Sequence, residues 1–266
     1  MTVRQAYAHC INALGKTEGV LLFSHLTNFS VTDMLKNPDA ETDADFENAI
    51  LRIQNGEPIQ YVVGETEFMS LPFKVTPAVL IPRQDTETLV EFALSKIKAG
   101  DKGLDLCTGS GCIAVSVAHY RKASVTAVDL SADALQVAKQ NGALNGADVQ
   151  WVLADAINYA EQSELDFVLS NPPYIETAVV DGLERKVKDF EPRMALDGGE
   201  DGLDFYGAIA KNSRKMLKAG GFLAVEIGYN QGKSVKNIFE DVFGNAEVLQ
   251  DLCGNDRVVY AIKESI

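Results

Sequence analysis

The pattern of apolar and polar positions changes character near residue 80. Before it, the chain reads as helices at 3–14, 19–29 and 44–55 with a short turn at 32–35. Thr42 and Asp43 are suited to cap the last helix, and Gly56 with Pro58 stops it. Segments 59–63 and 67–75 then look like two strands around Gly64, held at a sheet edge by Pro72 and Pro77. From residue 80 onward, short apolar runs alternate with helical stretches, which predicts a mostly parallel sheet covered on both faces. Strands are expected at 103–107, 124–129, 149–154, 166–170 and 221–227, with helices at 84–98, 112–120, 132–144 and 205–218. Two last strands, 246–250 and 257–263, are separated only by a turn about Gly254-Asn255-Asp256 and should pair antiparallel. The expected organisation is a helical domain over 1–56, a β-hairpin linker over 57–79 and an α/β domain over 80–266.

Two motifs fall at carboxyl ends of the predicted strands, where open α/β sheets place their chemistry. The run Leu165-Asp166-Phe167-Val168-Leu169 leads directly into Ser170-Asn171-Pro172-Pro173-Tyr174. Consecutive prolines neither continue a ladder nor enter a helix interior, so this is a stiff turn. Asn171 offers a carbonyl acceptor, Pro172 a backbone carbonyl and Tyr174 an aromatic face. Together they suit a planar amide or exocyclic amine that donates two hydrogens and stacks its flat side. As an isolated match, the same turn could simply end a strand.

The second motif is Asp105-Leu106-Cys107-Thr108-Gly109-Ser110-Gly111, closing the first strand of the α/β half just before a helix. Glycines here let backbone approach a ligand. Asp129, beside Leu130 and twenty residues beyond Gly109, ends the second strand, where an acidic side chain binds paired ribose hydroxyls. Asp155-Ala156 follows the third strand, at the place where such folds hold an adenine edge; Asp155 would equally serve as a local helix cap. Asp105 could orient the glycine loop without touching ligand. These features mark a nucleoside-containing cofactor but do not choose one, because Gly109-x-Gly111-x-x-Ala114 also satisfies the dinucleotide fingerprint. Hydride transfer needs a second half-site for nicotinamide and a polar acid at the carbonyl, for which no candidate set stands out. S-adenosylmethionine needs only one half.

Composition narrows the partners. A net charge of −14 over 266 residues works against a polyanionic substrate. The one short basic run near the candidate site, Arg185-Lys186-Val187-Lys188, reads as a solvated helix face. No apolar stretch is long enough to span a bilayer and the first residues lack a signal-peptide pattern, so a cytoplasmic protein with no membrane contact is expected. Cys10, Cys107, Cys112 and Cys253 lack zinc-type spacing, and His9, His25 and His119 are isolated, so no metal is expected.

The α/β half, with its closing antiparallel hairpin, resembles the class I S-adenosylmethionine-dependent methyltransferases (Rossmann-like), here preceded by a small all-helical domain. Nearly the whole chain resembles one family of them, the protein-(glutamine N5) methyltransferases that modify peptide chain release factors (PrmC/HemK). The resemblance runs through Pro58-Ile59-Gln60-Tyr61, Leu80-Ile81-Pro82-Arg83, Thr86-Glu87, the Asp105–Gly111 loop, Ser170 to Ile175, Phe190-Glu191-Pro192, Gly198-Gly199, Asp201-Gly202-Leu203, Glu226-Ile227-Gly228 with Gln231, and Asp256-Arg257. The Asn-Pro-Pro-Tyr turn is shared by many amino methyltransferases; the Ile-Pro-Arg and Phe-Glu-Pro segments are more restrictive.

The resemblance implies cofactor contact by Cys107, Thr108, Gly109, Ser110, Gly111, Asp129, Leu130, Asp155, Ala156 and Asn171. It implies substrate contact by Asn171, Pro172, Pro173 and Tyr174, with Asn171, Pro172 and Tyr174 catalytic. S-adenosylhomocysteine would be the product, a class 1 release factor the partner, and the helical domain part of its grip, any ribosome contact being made through the factor. Arg83 would fasten its segment near the cofactor cleft or form a surface ion pair. Cys107 stands where the family has a glycine, which is harmless if its φ is negative. Gln84-Asp85 replaces Pro-Glu, and Met69-Ser70 lies where a glycine is common. The competing readings are methylation of a ribosomal-protein glutamine, N6-adenine methylation of nucleic acid, a dinucleotide-dependent oxidoreductase and a non-catalytic binding module.

Overall fold

The computed structural model describes residues 1–160 and 164–264. Its backbone forms two compact units: Met1–Glu65 with Glu184–Phe190, and Thr66–Leu183 with the described residues from Glu191 onward.

The first unit is helical: α1 (Val3–Leu14), α2 (Lys16–Thr27), α3 (Val31–Lys36), α4 (Phe46–Gln54) and α5 (Ile59–Val63). Its core is built from Val3, Ala6, Cys10, Leu22, Phe23, Phe46, Ile50, Ile53, Ile59 and Val63. Thr2 opens α1 with a reciprocal capping box to Gln5. The cap of α4 is Asp45, not Thr42 or Asp43. A larger correction concerns residues 59–63, which form helix α5 instead of the expected strand. Ile59 and Val63 stand one helical turn apart and both reach the core. Pro58 starts the turn, and Gly64 closes it at φ 78° with its N–H on the Gln60 carbonyl. Packing and caps override the β-branched composition that suggested a strand.

The second unit starts at Thr66, inside the first strand of a hairpin, β1 (Glu65–Phe68) and β2 (Leu71–Lys74). The hairpin turns at Met69-Ser70 and not about Gly64; both turn residues have positive φ, 51° and 59°. A two-residue turn of that hand matches strand twist, which is why glycine is favoured there. The chain continues through α6 (Gln84–Lys96), β3 (Lys102–Leu106), α7 (Cys112–Arg121), β4 (Ser124–Asp129), α8 (Ala132–Leu144), β5 (Val149–Leu153) and β6 (Leu165–Ser170). After α9 (Thr177–Val180) comes α10 (Arg185–Lys188), which clusters with the helical unit, where Lys186 pairs with Glu18 at 2.8 Å. A 3-10 turn (Arg193–Ala195), α11 (Asp204–Met216), β7 (Leu217–Glu226), α12 (Gly232–Phe243), β8 (Glu247–Gln250) and β9 (Asp256–Ile262) complete the unit.

The seven-stranded sheet has the order β5-β4-β3-β6-β7-β9-β8. The first five strands are parallel neighbours, and β9 pairs antiparallel with both β7 and β8. This is the expected mostly parallel sheet with a closing antiparallel hairpin. Side chains alternate across it. Phe167 and Leu169 of β6, with Phe222 and Ala224 of β7, face a core shared with α6 and α7. Val168, Leu223 and Val225 face the opposite core, shared with α11 and α12. Chain order reverses between β3 and β6, so a crevice opens at their carboxyl ends.

Candidate active site

The two motifs arrive at that crevice side by side. Leu106 of β3 pairs with Ser170 of β6, and the Ser170 hydroxyl donates to the Leu106 carbonyl at 2.7 Å. The glycine loop and the Asn-Pro-Pro-Tyr turn therefore leave adjacent strands, which run roughly 4.8 Å apart.

Asp105, fully buried, organises the loop from below. Its Oδ2 accepts from the Thr108 hydroxyl at 2.5 Å and from the Ala114 amide at 3.1 Å, tying the loop to the first turn of α7. Burial pushes its carboxyl up to about 7, against the lowering effect of those two bonds, and Oδ1 has no partner among the described residues. A carboxyl raised in the folded state favours folding fully below its ordinary pKa and loses that contribution as pH climbs through about 7. Asp105→Asn should thus flatten the decline in melting temperature between pH 5 and 8 relative to wild type, as read by calorimetry. An unchanged slope would mean that Asp105 titrates normally.

Cys107 departs from expectation. Its φ is 60°, so it occupies the left-handed region natural to glycine. The loop accommodates a side chain at a cost of about 1–2 kcal/mol, because the surrounding bonds hold the backbone in place. Thr108 N–H reaches the Val128 carbonyl at 3.0 Å, and Gly111 N–H the Thr108 carbonyl at 2.8 Å. The buried Asn141 adds a clamp that sequence reading missed. Its side-chain nitrogen donates to the Ser110 carbonyl at 2.9 Å while its amide brackets Lys74 of β2.

Asp129 accepts from Gly109 N–H and Ser131 N–H, each at 2.8 Å, one on each oxygen. Each oxygen retains a lone pair for a further donor. Asp155 accepts from the Ile157 amide at 2.9 Å and the Asn158 side chain at 2.7 Å, so it stabilises its own turn as well as bordering the cleft.

The loop, Asp129 and Asp155 border one cleft enclosing about 930 Å³ of atom-free space, part of it open to solvent. Of the ten residues expected at a cofactor, Cys107, Thr108, Gly109, Ser110, Asp129, Leu130, Asp155, Ala156 and Asn171 line it. Gly111 does not; a Cβ there would lie 3.1 Å from both Ala138 and Trp151, so it permits close packing beneath the loop. Pro173 lines the cleft; Pro172, equally buried, does not, and Tyr174 packs its ring on the α11 and α12 side of the core. Thr86, which fell within the family resemblance without an assigned role, also lines it, as do Ile113, Ala134, Met194 and Phe205, which carried no local sequence signal.

Arg83 borders the cleft and pairs with Glu191 at 2.5 Å. Glu191 is buried, which raises its carboxyl, with Arg83 as the main opposing influence. The ion pair joins the Ile-Pro-Arg and Phe-Glu-Pro segments across 108 residues of sequence.

Around the proline turn, Gln231 donates to the Tyr174 carbonyl at 3.0 Å and to the Gly202 carbonyl at 3.1 Å. The Tyr174 hydroxyl donates to Glu226 at 3.3 Å, and the Asn171 side-chain nitrogen donates to the Thr86 hydroxyl at 3.2 Å. With the nitrogen so engaged, the Asn171 oxygen is the acceptor left for an incoming NH2 group. Among the described residues no group of acidic, histidine or cysteine side chains could hold a metal ion, and no helix is long and apolar enough to cross a membrane.

Known proteins resemble this chain over nearly its whole length. Residues 84–186 match the family model "Methyltransferase small domain", and residues 13–64 match "PrmC N-terminal domain". The chain is 40% identical over 281 residues to the release factor glutamine methyltransferase of Moorella thermoacetica, with 99% of each chain covered. It is 38% identical over 280 residues to that of Koribacter versatilis, again with 99% of each covered. Among solved structures, a methyltransferase from Pyrococcus furiosus superposes with a TM-score of 0.57 at 17% identity, covering 83% of this chain and 100% of the other, a likeness of fold.

Proposed function

The chain belongs to the release factor glutamine methyltransferase family, and from that premise we propose that it methylates the side-chain amide nitrogen (N5) of the glutamine in the Gly-Gly-Gln loop of a class 1 peptide chain release factor. The observation carrying this reading is the adjacency of Asn171 to the loop 107–110 in one cleft.

The cleft fits S-adenosylmethionine. The Asp129 carboxylate retains acceptor capacity for two ribose hydroxyls, Asp155-Ala156 lines the cleft and would meet an adenine edge, and Ile113, Ala134 and Phe205 supply apolar wall. When bound, S-adenosylmethionine supplies a methyl group activated by its sulfonium charge.

The protein's own contribution is positioning. An amide nitrogen is a poor nucleophile because its lone pair is delocalised into the carbonyl. Acceptance of its two hydrogens by the Asn171 oxygen and the Pro172 carbonyl would raise electron density on nitrogen and aim it into the cleft. Holding reactants in line contributes roughly 7–11 kcal/mol in well-oriented systems. The proton leaves to water afterwards, so no strong general base is needed. The helical unit, Met1–Glu65 with Glu184–Phe190, would recognise the body of the factor, in the cytoplasm and with any ribosome contact made through the factor.

Titration distinguishes this reading from a dinucleotide oxidoreductase: S-adenosylhomocysteine should bind and NAD should not. Transfer of labelled methyl to a release factor separates an enzyme from a module that only binds. Saturable NAD binding without S-adenosylhomocysteine binding would overturn the proposal.

A further inference from the structure

We propose that Thr86 and Glu226 are positioning residues that lock the Asn171 side-chain amide in one orientation, with its oxygen turned to the substrate. The inference rests on the methyltransferase reading and assigns a task to two groups outside the proline turn.

Two hydrogen bonds and one polar contact define a directed chain. The Asn171 nitrogen donates to the Thr86 hydroxyl at 3.2 Å, the Tyr174 hydroxyl donates to Glu226 Oε1 at 3.3 Å, and the Thr86 hydroxyl lies against the Glu226 carboxylate, toward which only its proton can favourably turn. A carboxylate only accepts, so Glu226 dictates the direction of both hydroxyls. The Thr86 proton is committed to Glu226, which leaves the threonine oxygen as an acceptor for Asn171. A reversed Asn171 would present its oxygen to another oxygen there, and would turn a donor toward a substrate that itself brings donors. Thr86 is 2% exposed and Glu226 1% exposed, so water does not compete readily for these directions. Glu226 Oε2 has no partner among the described residues, an expensive condition for a buried group.

The groups facing Glu226 are Asp85 and Thr86 on α6, Arg257 on β9, Tyr174 on the turn, Tyr206 on α11 and Cys112 on α7. Burial pushes the carboxyl up to about 7, with Thr86, Arg257 and Tyr174 opposing. Below that pH, Glu226 gains a proton and ceases to dictate the chain.

The test compares the full-length wild type with Thr86→Val, Thr86→Ser and Glu226→Gln, using labelled S-adenosylmethionine and a release factor. Thr86→Val should lower kcat about 10²-fold while KM for both substrates, S-adenosylhomocysteine affinity and melting temperature stay near wild type. Thr86→Ser, which keeps the hydroxyl, should restore kcat. Wild-type kcat should fall on the acid side of about pH 7, and Glu226→Gln should lose that dependence. In NMR spectra recorded without turnover, the Asn171 side-chain amide signals should move in Thr86→Val and return in Thr86→Ser. Wild-type kcat in Thr86→Val, unmoved Asn171 signals, or parallel losses of kcat, affinity and stability would overturn the proposal. Thr86-dependent Asn171 signals in a wild type that fails to methylate release factor would support the lock and count against the substrate.

Discussion

Asn171→Ala is expected to fold, to bind S-adenosylhomocysteine nearly as well as wild type, and to lose about three orders of magnitude in turnover. The fold should survive because, among the described residues, the Asn171 side chain makes one hydrogen bond, to Thr86 at 3.2 Å, whose net value is about 1 kcal/mol. Cofactor binding should survive because the loop 107–110, Asp129, Leu130 and the Asp155-Ala156 turn remain in the cleft. Turnover should not, because alanine removes the acceptor that holds the amide nitrogen in line. Turnover measured under saturating cofactor and factor, beside a thermal melt and a binding titration, decides the matter. Loss of folding in step with activity would assign Asn171 to architecture.

Gly202→Ala should give the largest loss of stability among single substitutions near the site, about 2–4 kcal/mol, or a melting temperature lower by roughly 5–15 °C. Two effects combine. Gly202 has φ 71°, which disfavours any side chain, and a Cβ there would fall within 2.7 Å of the Gln231 nitrogen as well as against the Tyr174 carbonyl. Those two groups are donor and acceptor of the 3.0 Å bond that supports the proline turn. Gly198 makes a comparable approach from the other side, its Cβ position lying 2.7 Å from the Pro173 carbonyl and Tyr174 Cα. The Gly-Gly and Asp-Gly-Leu segments of the family resemblance thus have a physical reason: they press backbone against the turn that carries Asn171. Activity should fall with stability, since a displaced Tyr174 carbonyl moves the turn. A variant with wild-type melting and turnover would show that the turn has slack that these contacts deny.

Much of the α/β unit was legible because its central strands are buried on both faces and turn residues separate its strands from its helices. The strand Ser124–Asp129 and the helix Ala132–Leu144 match the pattern of apolar positions residue for residue. Ligand-facing loops were legible because glycine, aspartate and proline leave strong local marks. The misread stretch, residues 59–63, has β-branched side chains whose burial depends on helices elsewhere in the unit, information that a five-residue window lacks. Cys107 and Met69-Ser70 were misjudged or left open for a related reason: nothing in their composition announces positive φ. The polar supports of the site were the least legible. Thr86, Asn141, Glu226 and Gln231 act on residues between 29 and 85 positions away, and only the fold brings these partners together.

The most direct measurement of the central claim is mass spectrometry of a class 1 release factor after incubation with the enzyme and S-adenosylmethionine. The geometry of Asn171 beside the glycine loop predicts a gain of one methyl group, located by fragmentation on the glutamine of the Gly-Gly-Gln peptide and absent with Asn171→Ala. A methyl group found on a different residue, on a ribosomal protein or on nucleic acid, with that glutamine unmodified, would contradict it.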